Sequence, residues 1–430
     1  MREQKYIDIL NSELVPALGC TEPIAIAYAS AKARQVLGEF PDKIDICCSG
    51  NIIKNVNGVK VPNSGGLKGV GAAAILGAIG GDPNRELEVL ETVTDLDREQ
   101  TRKLLAEGYF SCKLQKDVEN LYIIATVRKG KSSASVTIIN RHTLIKEIKK
   151  DEKVIYQVEG EKEDKNQKGF WNMTIRDILD FANGIDLDRI KGLLDRQIEM
   201  NSAIARKGME EGFGAQVGRT LLETSGNEVQ NRAKAYASSG SDARMGGCSL
   251  PVVINSGSGN QGMTVSLPVI EYANEWKVSQ EKLYRALLIS NLTAIHLKHY
   301  IGSLSAFCGA VTAACGAGAA ITYMAGGTYS NISHTIINTL ANVGGIVCDG
   351  AKASCAAKIS SALDAAILGY ELSMKDRYFE PGEGLIKDDI ESTIQSMGYV
   401  GRVGMKSTDI EILNVMMNQV DFRETALSGR

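Results

Sequence analysis

Four cysteines fall in or beside the least charged part of the chain. No Asp, Glu, Lys or Arg occurs from residue 299 to residue 348, and two cysteine pairs have a spacing of seven, Cys308 with Cys315 and Cys348 with Cys355. Seven residues make two turns of an α-helix, so each pair could project from one helical face. Buried thiolates are the ligands that iron–sulfur clusters use. The pattern indicates a candidate metal site, and a simple packing role remains the alternative for each thiol.

A further cysteine, Cys20, lies in the segment GCTEP. The glycine before it and the proline shortly after it indicate a turn or the start of a helix, and a helix N-terminus lowers the pKa of a thiol. Cys20 is therefore a candidate acid/base catalyst, with Glu22 as a second candidate beside it. The alternatives are a core thiol at position 20 and a helix-capping carboxylate at position 22.

Three glycine-rich segments, SGNIIKN, PNSGG and GSGNQG, carry amide and hydroxyl side chains. Such loops expose backbone N–H groups and suit the carboxylate or ammonium of an amino acid. The candidate substrate-binding residues are Asn51, Asn55, Ser64, Asn260 and Gln261. Ordinary turn chemistry is the alternative for each of them. The run at 62–81 lacks the GKS/T of a phosphate loop and the downstream acidic residue of a dinucleotide site.

The composition is that of a globular protein. The 430 residues are 44% hydrophobic and 23% charged, a length that exceeds what one hydrophobic core usually organises. The formal charge of -3 and the lack of a long basic tract exclude nucleic acid as a predicted partner. Nine cysteines without a secretory signal predict reduced thiols and a cytoplasmic location. The uncharged run 301–327 is rich in Ala, Gly, Ser and Thr, so we expect a buried helix and no membrane partner.

The elements predict an α+β protein with a mainly α-helical catalytic body and an inserted small α+β module. Within the module, residues 94–108 have the pattern of an amphipathic helix, residues 121–127 and 133–139 alternate like the strands of a hairpin, and 160–169 read as a solvated loop. Helical periodicity returns from about residue 174. We predict boundaries near 84 and 172, which give an N-terminal part of the body (1–84), the inserted module (85–172) and a helical iron–sulfur domain (173–430).

Several segments together resemble a known family. FCGAV and VCDGAKASC are similar to the three-cysteine cluster site of the archaeal and bacterial L-cysteine desulfidases, which are allied to the α region of the iron–sulfur L-serine dehydratases. The similarity extends over most of the chain outside the module, in the segments GCTEPIAIAYA (19–29), SGNIIKNVNG (49–58), VPNSGGLKGVGAAAILGAIGGDP (61–83) and INSGSGNQG (254–262).

The resemblance implies a [4Fe–4S] cluster held by Cys308, Cys348 and Cys355, which leaves Cys315 a structural thiol. It also singles out Cys20 as an acid/base group. The implied activity is L-cysteine desulfidase, a β-elimination that converts L-cysteine to pyruvate, ammonia and hydrogen sulfide. The implied partner is this small amino-acid substrate, and the uncharged helices could bury against a second subunit.

Three other functions remain open at this point. The same site could dehydrate L-serine to pyruvate and ammonia. A pyridoxal-phosphate lyase would use Lys54 or Lys68, but neither lies in a segment that resembles a phosphate-binding cup. A cluster-bearing sensor without catalysis is disfavoured by the absence of a DNA-binding signature and by the polar loops.

Overall fold

The computed structural model describes residues 2–158, 173–302 and 304–420. The first range contains α1 (Arg2–Glu13), β1 (Pro16–Leu18), α2 (Thr21–Leu37), β2 (Lys43–Cys48), α3 (Gly50–Val56), α4 (Gly69–Gly80), α5 (Asp95–Ala106), β3 (Phe110–Leu114), β4 (Tyr122–Lys129), β5 (Ser132–Ile139), β6 (Ile145–Lys150) and β7 (Lys153–Gln157). The later ranges contain α6 (Ile175–Gly184), α7 (Lys191–Glu210), α8 (Val217–Ser225), α9 (Val229–Met245), β8 (Pro251–Val253), α10 (Gly259–Trp276), α11 (Gln280–Ile301), α12 (Gly309–Met324), α13 (Tyr329–Val343), α14 (Cys355–Ser373), α15 (Ile390–Tyr399) and α16 (Lys406–Met416).

A six-stranded sheet with the order β3-β2-β4-β5-β6-β7 forms the β part of the protein. All neighbouring strands are antiparallel except β2 and β3, which are parallel. Inward and outward side chains alternate along β4, and α2 packs against β4 and β5. Strand β2 comes from residues 43–48, so the sheet is not built from residues 85–172 alone.

The local predictions within the module agree with these elements. The predicted helix is α5, which Thr94 begins with a capping box to Asp97, and the predicted hairpin is β4 with β5. The predicted loop at 160–169 and the boundary at 172 lie outside the described residues. The two domain boundaries remain predictions.

The uncharged run folds into the centre of a helical body. Helix α12 is buried along almost its whole length and packs against α11, α13 and α14. Its small residues allow this, because a Cβ on Gly316 would lie 2.3 Å from the carbonyl oxygen of Ser290 on α11. The fold class is confirmed as mainly helical α+β with a smaller sheet-containing module. Within the described ranges, we find no helix with the length and hydropathy needed to cross a membrane.

A short two-stranded sheet ties the amino terminus to the helical body. Strand β1 pairs antiparallel with β8, so that Ala17 lies opposite Val252. Helix α2 begins directly after β1, and α10 begins shortly after β8. The segments that precede these two helices, GCTEP and GSGNQG, are thereby placed next to each other.

Candidate functional site

A cavity of about 1500 Å³ lies where the helical body meets the sheet-containing module. Its lining includes residues from the start of α2, the loop between β5 and β6, the start of α10, the end of α11, and the loops before α12 and α14. Eight of the ten predicted site residues line it: Cys20, Glu22, Asn55, Asn260, Gln261, Cys308, Cys348 and Cys355.

Backbone pairing holds Cys308 and Cys348, two of the three predicted cluster ligands, side by side. Phe307 and Val347 form an isolated antiparallel bridge, in which Cys308 N–H donates to the Ile346 carbonyl at 3.0 Å. Cys348 N–H donates in turn to the Ala306 carbonyl at 2.6 Å. The local strand pairing therefore brings together two residues that are forty positions apart in sequence.

Cys355, the third predicted cluster ligand, lies at a helix start on the same side of the cavity. Cys355 is the first residue of α14, and Cys308 is the N-cap residue of α12. Burial and the neighbouring thiols Cys348 and Cys355 raise the pKa of Cys308 to about 12. Burial also raises the pKa of Cys355. Negative charge on Cys348 would thus disfavour ionisation of Cys308 and Cys355, and an added cation would reverse that effect.

In donor type, the three thiols fit a cluster. Soft thiolates are the donor set that iron–sulfur centres require. Within the described ranges, no group of three His, Cys, Asp or Glu side chains is already arranged as a metal site. The three thiols therefore share one cavity wall without lying at ligating positions.

Cys315 does not join these thiols. It lies two turns further along α12, is fully buried in the core, and is not among the residues that line the cavity. Burial raises its pKa well above the usual range. The spacing of seven from Cys308 therefore reflects helical periodicity within the core.

Cys20 and Glu22 form a hydrogen-bonded pair in the cavity. The Cys20 thiol donates to Glu22 Oε2 at 3.1 Å, and Thr21 Oγ1 donates to the Gly257 carbonyl at 2.9 Å. Cys20 is the N-cap residue of α2, is 2% exposed, and packs in a small cluster against Cys355. Cys20 and Cys355 therefore lie near each other.

The prediction of a lowered pKa for Cys20 is wrong. The helix start was expected to lower it, yet the pKa of the thiol lies well above its ordinary value. Burial is the largest cause, and the Glu22 carboxylate adds to it because two negative charges would lie close together. Cys20 thus holds its proton at rest.

Asn260 and Gln261 face the cavity from the first turn of α10. Asn260 Oδ1 accepts from Arg244 Nη1 at 3.3 Å, and Gln261 Oε1 accepts from Thr312 Oγ1 at 3.3 Å. Asn55, in α3, lines the cavity near Gly350. Amide groups thus lie on two sides of the space between the thiols and α10.

Two predicted substrate-binding residues lie elsewhere. Asn51 Nδ2 donates to Asn120 Oδ1 at 3.4 Å, and Ser64 Oγ donates to the Leu67 carbonyl at 3.2 Å. Neither is among the residues that line the cavity. The Ser64 contact matches the turn chemistry that was its alternative, whereas Asn51 lies in α3 and bonds a residue distant in sequence.

Among the ionisable residues of the cavity lining that were not predicted from the sequence are His142, Arg244 and Lys298. Burial lowers the pKa of Lys298, while the nearby thiols Cys348 and Cys308 act in the opposite direction. Arg244 has a sequence signal, since it is charged within the run SSGSDARMGG of mostly small residues. His142 has no such signal in the sequence, because only the tertiary fold brings the β5–β6 loop to the cavity.

The starts of four helices, α2, α10, α12 and α14, contribute residues to the lining of this cavity. Unsatisfied N–H groups at helix starts carry partial positive charge. Four such ends give the cavity a field that favours anions, both thiolates and a substrate carboxylate.

Comparison with known proteins identifies the family of this chain. Residues 84–414 match the family model described as serine dehydratase alpha chain, and the chain belongs to this family. The resemblance found in the sequence is confirmed at this level, and the narrower assignment to the L-cysteine desulfidases stays a prediction.

Uncharacterised relatives match almost the full length of the chain. A protein of Lachnoclostridium phytofermentans named UPF0597 protein is 54% identical over 96% of this chain and 100% of its own length. UPF0597 proteins of Desulfitobacterium hafniense and Finegoldia magna are 51% and 48% identical, each over 97% of this chain, and over 97% and 100% of their own lengths. The names of these relatives state no activity.

Proposed function

We propose that the protein is an iron–sulfur L-cysteine desulfidase that converts L-cysteine to pyruvate, ammonia and hydrogen sulfide. The observation that carries the proposal is the shared cavity, in which Cys308, Cys348 and Cys355 lie beside the hydrogen-bonded pair of Cys20 and Glu22. Membership of a dehydratase family supports a lyase reaction of this type.

Cys308, Cys348 and Cys355 would hold a [4Fe–4S] cluster. When bound through three thiolates, such a cluster has one iron free to act as a Lewis acid on the leaving group of the substrate. The protein supplies the starts of α12 and α14 beside these thiolates, and the N–H groups at helix starts favour negative charge.

Cys20 and Glu22 would move the proton that elimination requires. The reaction needs a base for the proton on Cα, and a thiol that keeps its own proton cannot serve directly. Glu22 Oε2 is the acceptor for the thiol hydrogen, so transfer of this proton to Glu22 leaves a thiolate at Cys20. That thiolate takes the Cα proton, and the pair has then accepted one proton from the substrate.

Asn55, Asn260 and Gln261 would orient the substrate between these groups. Their amides offer both donors and acceptors, which suits a zwitterionic amino acid. Asn51 and Ser64 are not part of this proposed shell, because neither residue lines the cavity.

L-Serine dehydration is the second candidate, and the family match favours it specifically. The same thiols, base pair and amides would serve a hydroxyl leaving group. The two reactions differ in the leaving atom, so they are separated by activity and not by the residues described above.

The test measures both reactions on the same anaerobically purified and reconstituted protein. Sulfide and pyruvate are measured with L-cysteine, and pyruvate with L-serine, beside an aliquot exposed to air. Oxygen-sensitive sulfide release supports the desulfidase. Turnover of serine alone favours the dehydratase, and activity that survives air with the cluster destroyed contradicts both.

A further inference from the structure

Arg244 lies buried in the cavity with few partners. It occupies the last turn of α9 and is 3% exposed. Nη1 donates to Asn260 Oδ1, whereas Nε is buried without a hydrogen-bond partner. In the part of the chain that the structure describes, no carboxylate forms an ion pair with it. A guanidinium has five donors and a permanent charge, so burial in this state leaves a strong demand for an anion.

Helix α10 brings a second anion-binding feature to the same point. The helix has 18 residues, and its first residue is Gly259. A Cβ at this position would lie 2.4 Å from Arg244 Nε, so glycine allows the guanidinium to lie directly against the helix start. The N–H groups of the first turn and the guanidinium therefore offer donors to one small volume.

His142 closes this volume from the side of the module. Its Nε2 atom is buried without a hydrogen-bond partner among the described residues. A Cβ on Gly257, which has a φ of +75°, would lie 3.2 Å from the Cε1 atom of the ring. Burial lowers the pKa of His142, with Glu22 and Arg244 as its charged neighbours, so the imidazole is neutral near pH 7. A neutral ring can donate or accept one hydrogen bond at Nε2.

We propose that Arg244, Asn260 and the start of α10 bind the α-carboxylate of the substrate, with His142 as a positioning residue contributed by the module. The planar fork of a guanidinium matches a carboxylate and binds it with two charge-assisted hydrogen bonds. This subsite rests on the proposed function, because it assigns the amino-acid substrate an orientation. The Cα proton would then lie between the carboxylate subsite and the pair of Cys20 and Glu22.

The first test uses the unmodified holoenzyme and needs no turnover. L-Alanine has the same α-carboxylate and no leaving group, and L-alaninamide lacks the negative charge. Anaerobic calorimetry should show that L-alanine binds and that L-alaninamide binds about 10- to 100-fold more weakly, the range expected for hydrogen bonds to a charged group. Equal affinities, or binding of neither compound, would overturn the proposal.

The second test uses variants on one helix. Arg244→Gln should weaken L-alanine binding by about 10- to 100-fold while the cluster absorbance is kept, and Arg244→Lys should recover part of the affinity. Arg232→Gln is the matched control, because Arg232 also lies on α9 but pairs with Glu271 and Glu275 outside the cavity. Wild-type affinity in Arg244→Gln would contradict the assignment.

These measurements test the carboxylate subsite independently of the elimination activity. Selective binding of L-alanine by a protein that eliminates neither L-cysteine nor L-serine would remove the proposed function and keep the carboxylate subsite. Elimination activity together with equal binding of L-alanine and L-alaninamide would keep the proposed function and remove the carboxylate subsite. Should Arg244→Gln fail to fold, the comparison of the two ligands on the unmodified protein still decides.

Discussion

Lys54 and Asp409 form an ion pair that joins α3 to the C-terminal helix α16. The Lys54 ammonium is 2% exposed and also lies 3.5 Å from the carbonyl oxygen of Cys348. On the same interface, a Cβ at Gly50 would lie 2.3 Å from Leu413 Cδ2, so α3 and α16 are in close contact. The C-terminal helix is thereby connected to the loop that carries a predicted cluster ligand.

Removal of one member of this pair should destabilise the protein. Asp409→Ala leaves the Lys54 charge buried and unpaired, which we expect to cost about 3 kcal/mol of unfolding free energy. Lys54→Met combined with Asp409→Leu replaces the pair by apolar groups and should recover most of that loss. Urea unfolding of the three proteins measures the effect, and additive losses in the double variant would contradict a coupled pair.

Substitution of a proposed cluster ligand should lower the iron content of the protein, whereas substitution of another thiol should not. Alanine at Cys308, Cys348 or Cys355 should reduce bound iron and the visible absorbance to near background, because each removes one of three proposed ligands. Cys315→Ala is the matched control, since this thiol lies on α12 with Cys308 but outside the cavity. Iron analysis after anaerobic reconstitution provides the measurement. Loss of the cluster in Cys315→Ala would show that the ligand assignment is wrong.

Cys20 should affect turnover and not cluster content. Cys20→Ala removes the hydrogen bond to Glu22 and the proposed base, so we expect kcat to fall by about 10²- to 10⁴-fold with bound iron unchanged. Cys248→Ala is a suitable comparison, because Cys248 is also a buried thiol but does not line the cavity. A Cys20→Ala protein with wild-type kcat would exclude this residue from proton transfer.

Asp242 should make stability depend on pH in an unusual direction. Burial raises its pKa to about 6, although it accepts from Gly218 N–H at 3.1 Å. Folding therefore favours the protonated form, so this contribution is complete below the unfolded pKa near 4 and is lost as pH rises towards 6. Its loss should approach 1.4 kcal/mol per pH unit, or about 3 kcal/mol in total.

Asp242→Asn tests this linkage, because the amide does not titrate. Between pH 5 and pH 7, urea unfolding of the wild-type protein should show a fall in stability that the variant lacks. Asp180→Asn, an exposed change on α6, should leave the wild-type pH profile in place. Parallel profiles for the wild type and Asp242→Asn would contradict the raised pKa.

The fold could be predicted where local signals are strong. Helix α5 has a capping box, and side chains along β4 alternate between the two faces, so both elements could be located from the sequence. Strand β2 could not, because its pairing with β3 joins segments more than sixty residues apart. These two strands also pack against α4, a contact that no short sequence window contains.

The site was predictable to the extent that its residues lie in recognisable segments. The cysteines at 308, 348 and 355 were identified through their resemblance to a cluster site, and the structure places them in one cavity. Asn51 and Ser64 have the same local composition as the cavity residues but lie outside the cavity lining, where they bond Asn120 and the Leu67 carbonyl. His142 comes from a different part of the fold, and only the tertiary structure connects it to Gly257.

The pairing of β1 with β8 has a consequence for how the protein is made. Cys20 leaves the ribosome early, but its neighbours Gly257 and Cys355 are synthesised much later. Strand β1 therefore has no partner until more than half of the chain has been translated. The proposed cluster could therefore form only once Cys355, in the last fifth of the chain, has been synthesised.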